Sequence, residues 1–431
     1  MWNNEIGQIT NAVTCPCCGL SCDDLQVEVN DGRLQSLDKG CVLARAFFDD
    51  ALGASNATPR LKGQQASLDD ALARSAELLE NASAPLFTGL ATDVNGMRAT
   101  LALADRCGAS LDHLNGDALF RNIRVVQDNG WFTTTLTEVR NRADLILLAG
   151  SQATERFPRL VERVLNPGET LFTAAGERRL VLLGPWDDDA LPDEVAAMNP
   201  MVIPLDIEQV TDAVGLLRGL LAGRPVEPGS MGEDTGSRLT ALAESLQAAK
   251  YSVIAWSAAE FDYPHAELTI QGLADLAKDL NLATRCAALP LAGTLADITS
   301  NQVCTWQLGY PLRSRLTRGY PEHDPALNRW QDLLARGETD LLLWISALSP
   351  QAVPPRCDCP SIVLGHAGMV FETEPDVYIP VGVPGVDHPG HWYRSDSVCP
   401  LPLGQLRDAG LPAVGKIINT LTDRLRQTAG T

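Results

Sequence analysis

The chain of 431 residues is long enough for two or three domains, and its 45% hydrophobic and 20% charged residues are typical of a globular protein. Its 34 basic and 54 acidic residues give a net charge of −20, which disfavours nucleic acid and anionic membranes as partners. No run approaches the roughly 18 apolar residues of a membrane span, and residues 1–5 lack the basic flank and apolar core of a secretion signal. We therefore expect a cytoplasmic protein.

Five of the eleven cysteines lie within the first 41 residues, which indicates metal or redox chemistry rather than a disulfide scaffold. Cys15, Cys18, Cys22 and Cys41 are separated by two, three and eighteen residues. Three thiolates in a tight loop and a fourth from beyond a hairpin can surround one tetrahedral ion or one cubane cluster. Zinc and an Fe–S cluster both accept four thiolates, so the spacing does not choose between them. The alternative is a set of ordinary reduced cysteines.

Residues 1–50 are predicted to form a small irregular module. Apolar and polar residues alternate over 23–29, which predicts a half-exposed strand, and Asn30-Asp31-Gly32 predicts a hairpin turn. A helix is predicted over 68–79, with Ser67 as its N-cap. A short buried strand over 85–89 leads into a further helix over 97–106.

Further apolar runs are short and end in Gly or Ser, and helical stretches separate them. They cover residues 143–150, 180–184, 251–257, 340–346 and 361–365. This alternation predicts an α/β fold whose parallel sheets are covered by helices on both faces. Ligands of such folds bind outside the carboxyl ends of the strands. The Gly- and Pro-rich stretch 222–236 predicts a surface loop or linker.

The stretch from Cys15 to Asp24, with the form C-P-x-C-G-x-x-C-D-D, resembles the start of the B subunit of formylmethanofuran dehydrogenase, in the molybdopterin oxidoreductase superfamily. Further stretches agree in the same order: 135–145, 305–311 with 318–321, 340–346, and 379–386 with 392–396. The resemblance implies a cysteine-rich module over 1–50 and two doubly wound parallel-sheet domains. One is discontinuous, over 51–137 and 331–431, and the other covers 138–330. A [4Fe-4S] cluster on Cys15, Cys18, Cys22 and Cys41 is also implied, with zinc as the alternative that the four thiolates leave open.

The chain departs from that family where the dehydrogenases bind tungsten or molybdenum. Counting back from Thr135 without gaps places the Cys or selenocysteine ligand of the family at Ala118, and the histidine that follows it at Leu119. A methyl group cannot coordinate either metal. The family's pterin-contacting loop corresponds to residues 151–160, which have lost its histidines and gained Glu155. An added carboxylate is unfavourable beside a pyrophosphate.

These losses resemble those of the corresponding chain in the bacterial formyltransferase/hydrolase complex. The resemblance implies a non-redox scaffold subunit without a tungsten or molybdenum bis-pterin. Its implied partners are a zinc amidohydrolase, a formyltransferase and a C-like subunit. The complex transfers formyl from tetrahydromethanopterin to a methanofuran-type carrier and hydrolyses it to formate. The alternatives are a redox-active tungsten or molybdenum formylmethanofuran dehydrogenase subunit, and an Fe–S electron-transfer protein.

The remaining candidate residues are expected to be structural. The pair Cys357 and Cys359 has no partner pair nearby in the sequence, and the isolated cysteines suit small core positions (Cys107, Cys286, Cys304 and Cys399). Trp306 and Tyr310 are expected to pack, with a cavity-lining role as the alternative. His113 is expected in the core or on the surface.

Overall fold

The computed structural model of the chain describes residues 8–54, 57–173, 176–227 and 229–428. The strands are β1 Gln8–Val13, β2 Leu25–Asn30, β3 Arg33–Asp38, β4 Arg60–Leu61, β5 Gln64–Gln65, β6 Pro85–Ala91, β7 Ser110–Leu111, β8 Leu145–Ala149, β9 Arg179–Gly184, β10 Met201–Pro204, β11 Ser252–Trp256, β12 Cys286–Pro290, β13 Ser314–Arg315, β14 Glu322–His323, β15 Leu341–Ser346, β16 Ser361–His366, β17 Val377–Val381, β18 Gly390–Tyr393 and β19 Pro400–Leu403. The helices are α1 Val42–Gly53, α2 Leu68–Asn81, α3 Val94–Cys107, α4 Gly116–Asp128, α5 Leu136–Arg142, α6 Ala153–Arg156, α7 Asp193–Ala196, α8 Val210–Leu221, α9 Gly232–Ala248, α10 Glu267–Leu280, α11 Asp297–Leu308, α12 Trp330–Ala335 and α13 Val414–Thr428. None of these helices is long and apolar enough to cross a membrane.

The chain forms two compact units. Unit 1 comprises the described residues of Met1–Gly116 and Gly293–Thr431, and unit 2 comprises those of Asp117–Ala292. The domain boundaries predicted from the sequence, after residues 50, 137 and 330, differ from the boundaries of these units, which lie after residues 116 and 292. Most of α4 belongs to unit 2 because Val125 packs in the core of that unit. Strand β13 belongs to unit 1 because it pairs with β7.

Unit 2 is built on a five-stranded parallel sheet with the order β10-β9-β8-β11-β12. Its central strand β8 is buried along its whole length, as a strand covered on both faces must be. Strands β9 and β10 lie on one side of β8, whereas β11 and β12 lie on the other. The strand order therefore reverses between β8 and β11, which makes their carboxyl ends the topological switch point of this sheet.

Unit 1 contains a nine-stranded sheet with the order β14-β13-β7-β6-β15-β16-β17-β4-β5. The five central strands, β7 to β17 in that order, are parallel, and short antiparallel strands flank them. Strands β1 to β3 form a separate antiparallel sheet, and β18 pairs with β19. The predicted α/β architecture with parallel sheets is thus confirmed.

Local signals in the sequence explain several element ends. The Ser67 hydroxyl accepts a hydrogen bond from the Asp70 amide at 3.1 Å, as predicted for the N-cap of α2. Asp31 and Gly32 both have positive φ, 49° and 70°, which is the backbone of a tight turn between β2 and β3. The prediction of a loop over 222–236 is wrong for its last five residues. Helix α9 begins at Gly232.

Candidate functional site

The cysteine loop, residues 15–22, lies between β1 and β2 in unit 1. Two backbone hydrogen bonds close it, from the Cys15 amide to the Cys22 carbonyl at 2.8 Å and from the Ser21 amide to the Cys18 carbonyl at 3.0 Å. The side chains of Cys15, Cys18 and Cys22 are buried. Cys41 follows the β2–β3 hairpin and caps α1, where its Sγ accepts a hydrogen bond from the Ala44 amide at 3.4 Å.

Cys18 lies within electrostatic reach of the other three predicted ligands. Burial raises the pKa of the Cys18 thiol well above its ordinary value; a hydrogen bond from the Leu20 backbone opposes this, and Cys15, Cys22 and Cys41 raise it further by repulsion. In the part of the chain that the structure describes, no group of three or more Cys, His, Asp or Glu side chains has the arrangement of a metal site. The donor chemistry suits zinc or an Fe–S cluster, but the side-chain positions do not form that geometry. A metal centre here stays a prediction.

The cysteine loop contacts two other segments of unit 1, one at Gly293 and the other at residues 392–395. Gly293 has φ +100°, and a Cβ atom there would lie 2.5 Å from the Cα of Gly19, so only glycine allows this approach. The Ser395 amide donates to the Gly19 carbonyl at 2.8 Å. The buried Trp392 indole donates to the Ser21 hydroxyl at 2.9 Å. The loop therefore has a fixed position in unit 1.

A buried polar cluster lies beyond the end of β7, and we define it as Asp112, His113, Asn115, Asp297 and Arg313. The Asp112 carboxylate accepts hydrogen bonds from the Arg313 guanidinium at 3.3 Å and from the backbone amides of Trp330 and His113 at 3.0 and 2.8 Å. Asp112 is fully buried, so this ion pair is shielded from solvent. Buried charges need such partners because their desolvation is otherwise very costly.

His113 is neutral within this cluster. Its Nδ1 accepts a hydrogen bond from the Asn115 backbone amide at 2.9 Å. Nε2 therefore carries the proton and donates to the Leu295 carbonyl at 3.0 Å. Complete burial lowers its pKa to about 4, against a partial opposing effect of the Leu295 hydrogen bond. Of the two placements expected for His113, core or surface, the structure has the core. Leu295 and the next residue, Ala296, have φ of 51° and 66°, which is strained for residues with a Cβ.

The pKa of Asp297 is shifted in the opposite direction to that of His113. Burial raises its pKa from 3.8 to about 6, although hydrogen bonds from three backbone groups (Ile298, Thr294 and Gly293) and from the Asn115 side chain lower it in part. The native state therefore holds an extra proton between about pH 4 and 6, and stability falls as the pH rises through that range.

We expect Asp297→Asn to remove this pH dependence. The difference in unfolding free energy between wild type and variant should change by on the order of 3 kcal/mol between pH 4 and pH 6.5. Urea titrations of both proteins at several pH values measure it. The titration of His113 is present in both proteins and cancels in the difference. A difference that stays constant with pH would contradict the raised pKa of Asp297.

At the switch point of unit 2, the strand-end turn, Gly150–Gln152, follows β8 and surrounds a carboxylate. The Ser151 backbone amide and hydroxyl donate to Glu260 Oε1 at 2.7 and 3.1 Å, and the Gln152 backbone amide donates to Oε2 at 3.0 Å. Gly150 has φ +92°, and a Cβ atom there would collide with this carboxylate. Glu260 is buried. The turn is a nest of N–H and O–H donors of the kind that binds anions, and the protein supplies the anion itself.

The acidic residue that reaches this turn is not the one that the sequence suggested. Glu155 is exposed on α6, whereas Glu260 comes from the segment after β11. Strands β8 and β11 are neighbours, with Ala149 opposite Trp256. A carboxylate four residues beyond Trp256 could therefore have been found from the rule that neighbouring parallel strand ends share one edge.

The other predicted residues have mixed outcomes. Ala118 lies half-buried in the first turn of α4, followed by the buried Leu119. Cys286 and Cys304 are buried as expected, but Cys399 is exposed and Cys107 is half-buried. Trp306 was expected to pack, which is wrong, because 57% of its surface is exposed. Tyr310 is 46% exposed, but its ring stacks on His323 with 6.0 Å between the ring centroids.

Comparison with known proteins places these features in a family. No protein-family model matches the chain. The B subunit of the formyltransferase/hydrolase complex Fhc of Methylorubrum extorquens is 30% identical over 328 residues, which cover 75% of this chain and 85% of the relative. The B subunit of tungsten-containing formylmethanofuran dehydrogenase 2 of Methanocaldococcus jannaschii is 27% identical over 416 residues, covering 93% and 94% of the two chains. The chain belongs to this family of B subunits.

A solved structure shares the fold. It is the X-ray crystal structure of the formyltransferase/hydrolase complex FhcABCD from Methylorubrum extorquens in complex with methylofuran. One of its chains matches with a TM-score of 0.75 and 26% identity, over 87% of the present chain and 100% of that chain. The family resemblance seen in the sequence is therefore confirmed. The family contains both formyltransferase/hydrolase and tungsten-containing dehydrogenase members, so membership alone does not assign the chemistry.

Proposed function

We propose that this chain is a non-redox structural subunit of a formyltransferase/hydrolase complex. That complex transfers formyl from tetrahydromethanopterin to a methanofuran-type carrier and hydrolyses it to formate. The other subunits, a zinc amidohydrolase, a formyltransferase and a C-like subunit, carry the chemistry. This chain acts as their scaffold and carries no tungsten or molybdenum bis-pterin.

The observation that carries the proposal is the Glu260 carboxylate in the strand-end turn. A pyrophosphate-bearing cofactor needs free donors and positive potential at a strand end. Here the donors of Ser151 and Gln152 are already occupied, and the occupant is negative. The residues of this turn do not fit a phosphate group. The alanine at position 118 supports the same conclusion, because it offers no ligand atom.

A second candidate is the catalytic subunit of a tungsten- or molybdenum-dependent formylmethanofuran dehydrogenase. It is favoured by the relative from Methanocaldococcus jannaschii, whose name includes tungsten and which covers 93% of this chain. The two candidates differ in whether the chain holds a pterin and its metal.

Anaerobic purification of the complex from cells supplied with tungstate and molybdate separates these candidates. We expect tungsten, molybdenum and pterin to be far below one per chain, and the three partner subunits to copurify with a tagged chain. Stoichiometric tungsten or molybdenum together with pterin would overturn the proposal and favour the dehydrogenase. Isolation of the chain alone, as a monomer with a reducible iron signal, would instead favour an electron-transfer protein.

The cysteine loop gives a separate prediction within the same preparation. We expect iron or zinc bound by Cys15, Cys18, Cys22 and Cys41, since binding of a metal would bring these thiolates to one centre and stabilise the fold around it. Cys41→Ser should lower the iron and zinc content severalfold. Cys17→Ser is the matched control because its Sγ donates to the Leu43 carbonyl at 3.4 Å and is not one of the four. Equal metal content in both variants would contradict the ligand assignment.

A further inference from the structure

Cys357 and Cys359 form a pair of thiols apart from the sites described above. They lie two residues apart in the loop between β15 and β16 of unit 1. Both are half-buried, whereas Arg356 and Asp358 are exposed, so the two cysteines share the inner side of the loop. Cys357 Sγ donates to the Cys359 carbonyl at 3.3 Å. The side chain of each cysteine also shifts the pKa of the other, as closely neighbouring groups do. The thiols are therefore already adjacent.

The two cysteines contact apolar residues of the core and also line a cavity. Both cysteines pack against the buried residues Leu86, Leu333 and Leu342. They also line a cavity of about 710 Å³, together with Pro354 and Phe371 among others. A molecule of a few tens of atoms could enter this cavity and reach the sulfur atoms. Cysteines that serve only to fill a core have no such access.

The cavity is predominantly acidic. Four carboxylates contribute to its lining (Asp50, Glu372, Glu374 and Asp376), and Arg356 is the basic residue among the lining residues that the structure describes. Glu374 and Asp376 have ion-pair partners, Arg60 and Lys62, at 3.2 and 3.7 Å. The remaining excess of negative charge favours a neutral or cationic molecule over an anionic one.

We propose that Cys357 and Cys359 form a dithiol site that is oxidised reversibly by small neutral or cationic disulfides. The geometry that carries this proposal is the adjacency of the two sulfur atoms and their position in the wall of an acidic cavity. The reaction is independent of the function proposed for the family fold.

The exchange proceeds in two balanced steps. The Cys357 thiolate attacks one sulfur of the disulfide R–S–S–R, forms a mixed disulfide and displaces one R–S⁻, which takes a proton. The Cys359 thiol loses its proton to solvent, and its thiolate attacks the Cys357 sulfur and displaces the second R–S⁻. The two protein thiols are thereby oxidised to one disulfide, and the small disulfide is reduced to two thiols.

The interaction between the two side chains favours Cys357 as the first thiol to attack. The side-chain hydrogen bond from Cys359 is the largest cause that lowers the pKa of Cys357, to about 7, although burial and the nearby Asp358 and Asp376 raise it. The same hydrogen bond raises the pKa of Cys359, to which burial, the charge of Cys357 and Asp340 contribute. Once Cys357 is in a mixed disulfide, its charge and that hydrogen bond are lost. Cys359 then deprotonates more readily and resolves the intermediate.

The test exposes the reduced full-length chain to cystamine, a cationic disulfide, and separately to glutathione disulfide, an anionic one. Peptide mapping by mass spectrometry follows each cysteine. We expect a peptide with an internal Cys357–Cys359 disulfide and no retained adduct. At low salt, cystamine should react about tenfold faster than glutathione disulfide, and added salt should reduce the gap.

Two variants and one internal control make the result decisive. Cys359→Ser should retain a cysteamine adduct on Cys357, whereas Cys357→Ser should slow the modification of Cys359 by about tenfold or more. The exposed Cys399 of the same sample reports ordinary thiol reactivity. A stable adduct on Cys357 in the wild-type chain, or reaction of Cys357 no faster than of Cys399, would overturn the proposal. The wild-type measurement decides even if a variant does not fold.

Discussion

Replacing Arg407 with alanine is expected to lower the free energy of unfolding of unit 1 by about 3–5 kcal/mol. The Arg407 guanidinium forms a buried ion pair with Asp387, with 2.7 Å between Nε and Oδ1. It also donates to the Gly32 carbonyl in the β2–β3 turn and to three carbonyls at the end of α1, those of Ala51, Leu52 and Ala54. One side chain therefore joins the C-terminal part of the chain to the segment around the cysteine loop.

The expected loss is large because the substitution leaves a buried charge without its partner. Asp387 Oδ2 would keep the Val383 amide at 2.8 Å, but Oδ1 would lose the guanidinium. The carbonyls at the end of α1 would also lose their donors, and unsatisfied buried groups cost about 1–3 kcal/mol each.

Urea unfolding, together with hydrogen exchange of peptides from α1, measures the effect of Arg407→Ala. Arg424→Ala is the matched control. Arg424 pairs with the exposed Asp69, and exposed pairs contribute about 1 kcal/mol or less. Hydrogen exchange of α1 should accelerate strongly in the first variant and little in the second. Equal losses of stability in the two variants would contradict the role assigned to Arg407.

The parallel sheets were predictable because their strands carry a strong signal. Buried parallel strands are continuous apolar runs. Residues 145–149 are all apolar, so they are all buried only when both faces of the strand are covered. Helix α2 was predictable for a similar reason, since Ser67 and an apolar period mark its start. Helix α1 was not predicted. Its cap is a cysteine, which the usual capping signals do not include.

The unit boundaries depend on packing between distant segments, which one sequence does not encode locally. Four residues separate β7 from α4, and the Asn115-Gly116 pair at the start of α4 indicates a turn but not a domain border. Its assignment to unit 2 depends on contacts of residues such as Val125 and of Asn122, whose side chain accepts a hydrogen bond from the Trp256 indole at 3.0 Å.

The candidate site was predictable in its residue types but only partly in its contacts. The spacing of the cysteines predicted one loop with a fourth cysteine beyond a hairpin, and the structure has that order. Trp306 and Tyr310 were expected to pack because large aromatic residues usually do. Trp306 is exposed because it lies on the face of α11 opposite to the buried residues of that helix, whereas Tyr310 follows the helix and stacks on His323. Glu260 was missed because it lies more than 100 residues from the turn that it contacts.

Glu260→Ala is expected to give the strand-end turn an affinity for phosphate that the wild-type chain lacks. Removal of the carboxylate leaves the Ser151 amide and hydroxyl and the Gln152 amide without their acceptor. Three half-buried donors without partners should lower the free energy of unfolding of unit 2, by at most about 1–3 kcal/mol each. The vacated nest has the donors that an inorganic phosphate or pyrophosphate accepts from.

Thermal and urea unfolding in the presence of inorganic phosphate or pyrophosphate measure both effects in one experiment. At a concentration of 100 times Kd, a ligand that binds only the native state restores about 2.7 kcal/mol. The wild-type chain should show no such stabilisation beyond that produced by sodium chloride at equal ionic strength. Glu155→Ala is the matched control, since it removes the same charge from the exposed face of α6 and leaves the turn occupied. A folded Glu260→Ala chain that responds to phosphate no more than the Glu155→Ala chain would show that Glu260 does not occupy an anion site. Specific stabilisation of Glu260→Ala alone would establish that this carboxylate takes the position of an anionic ligand at the switch point of the sheet.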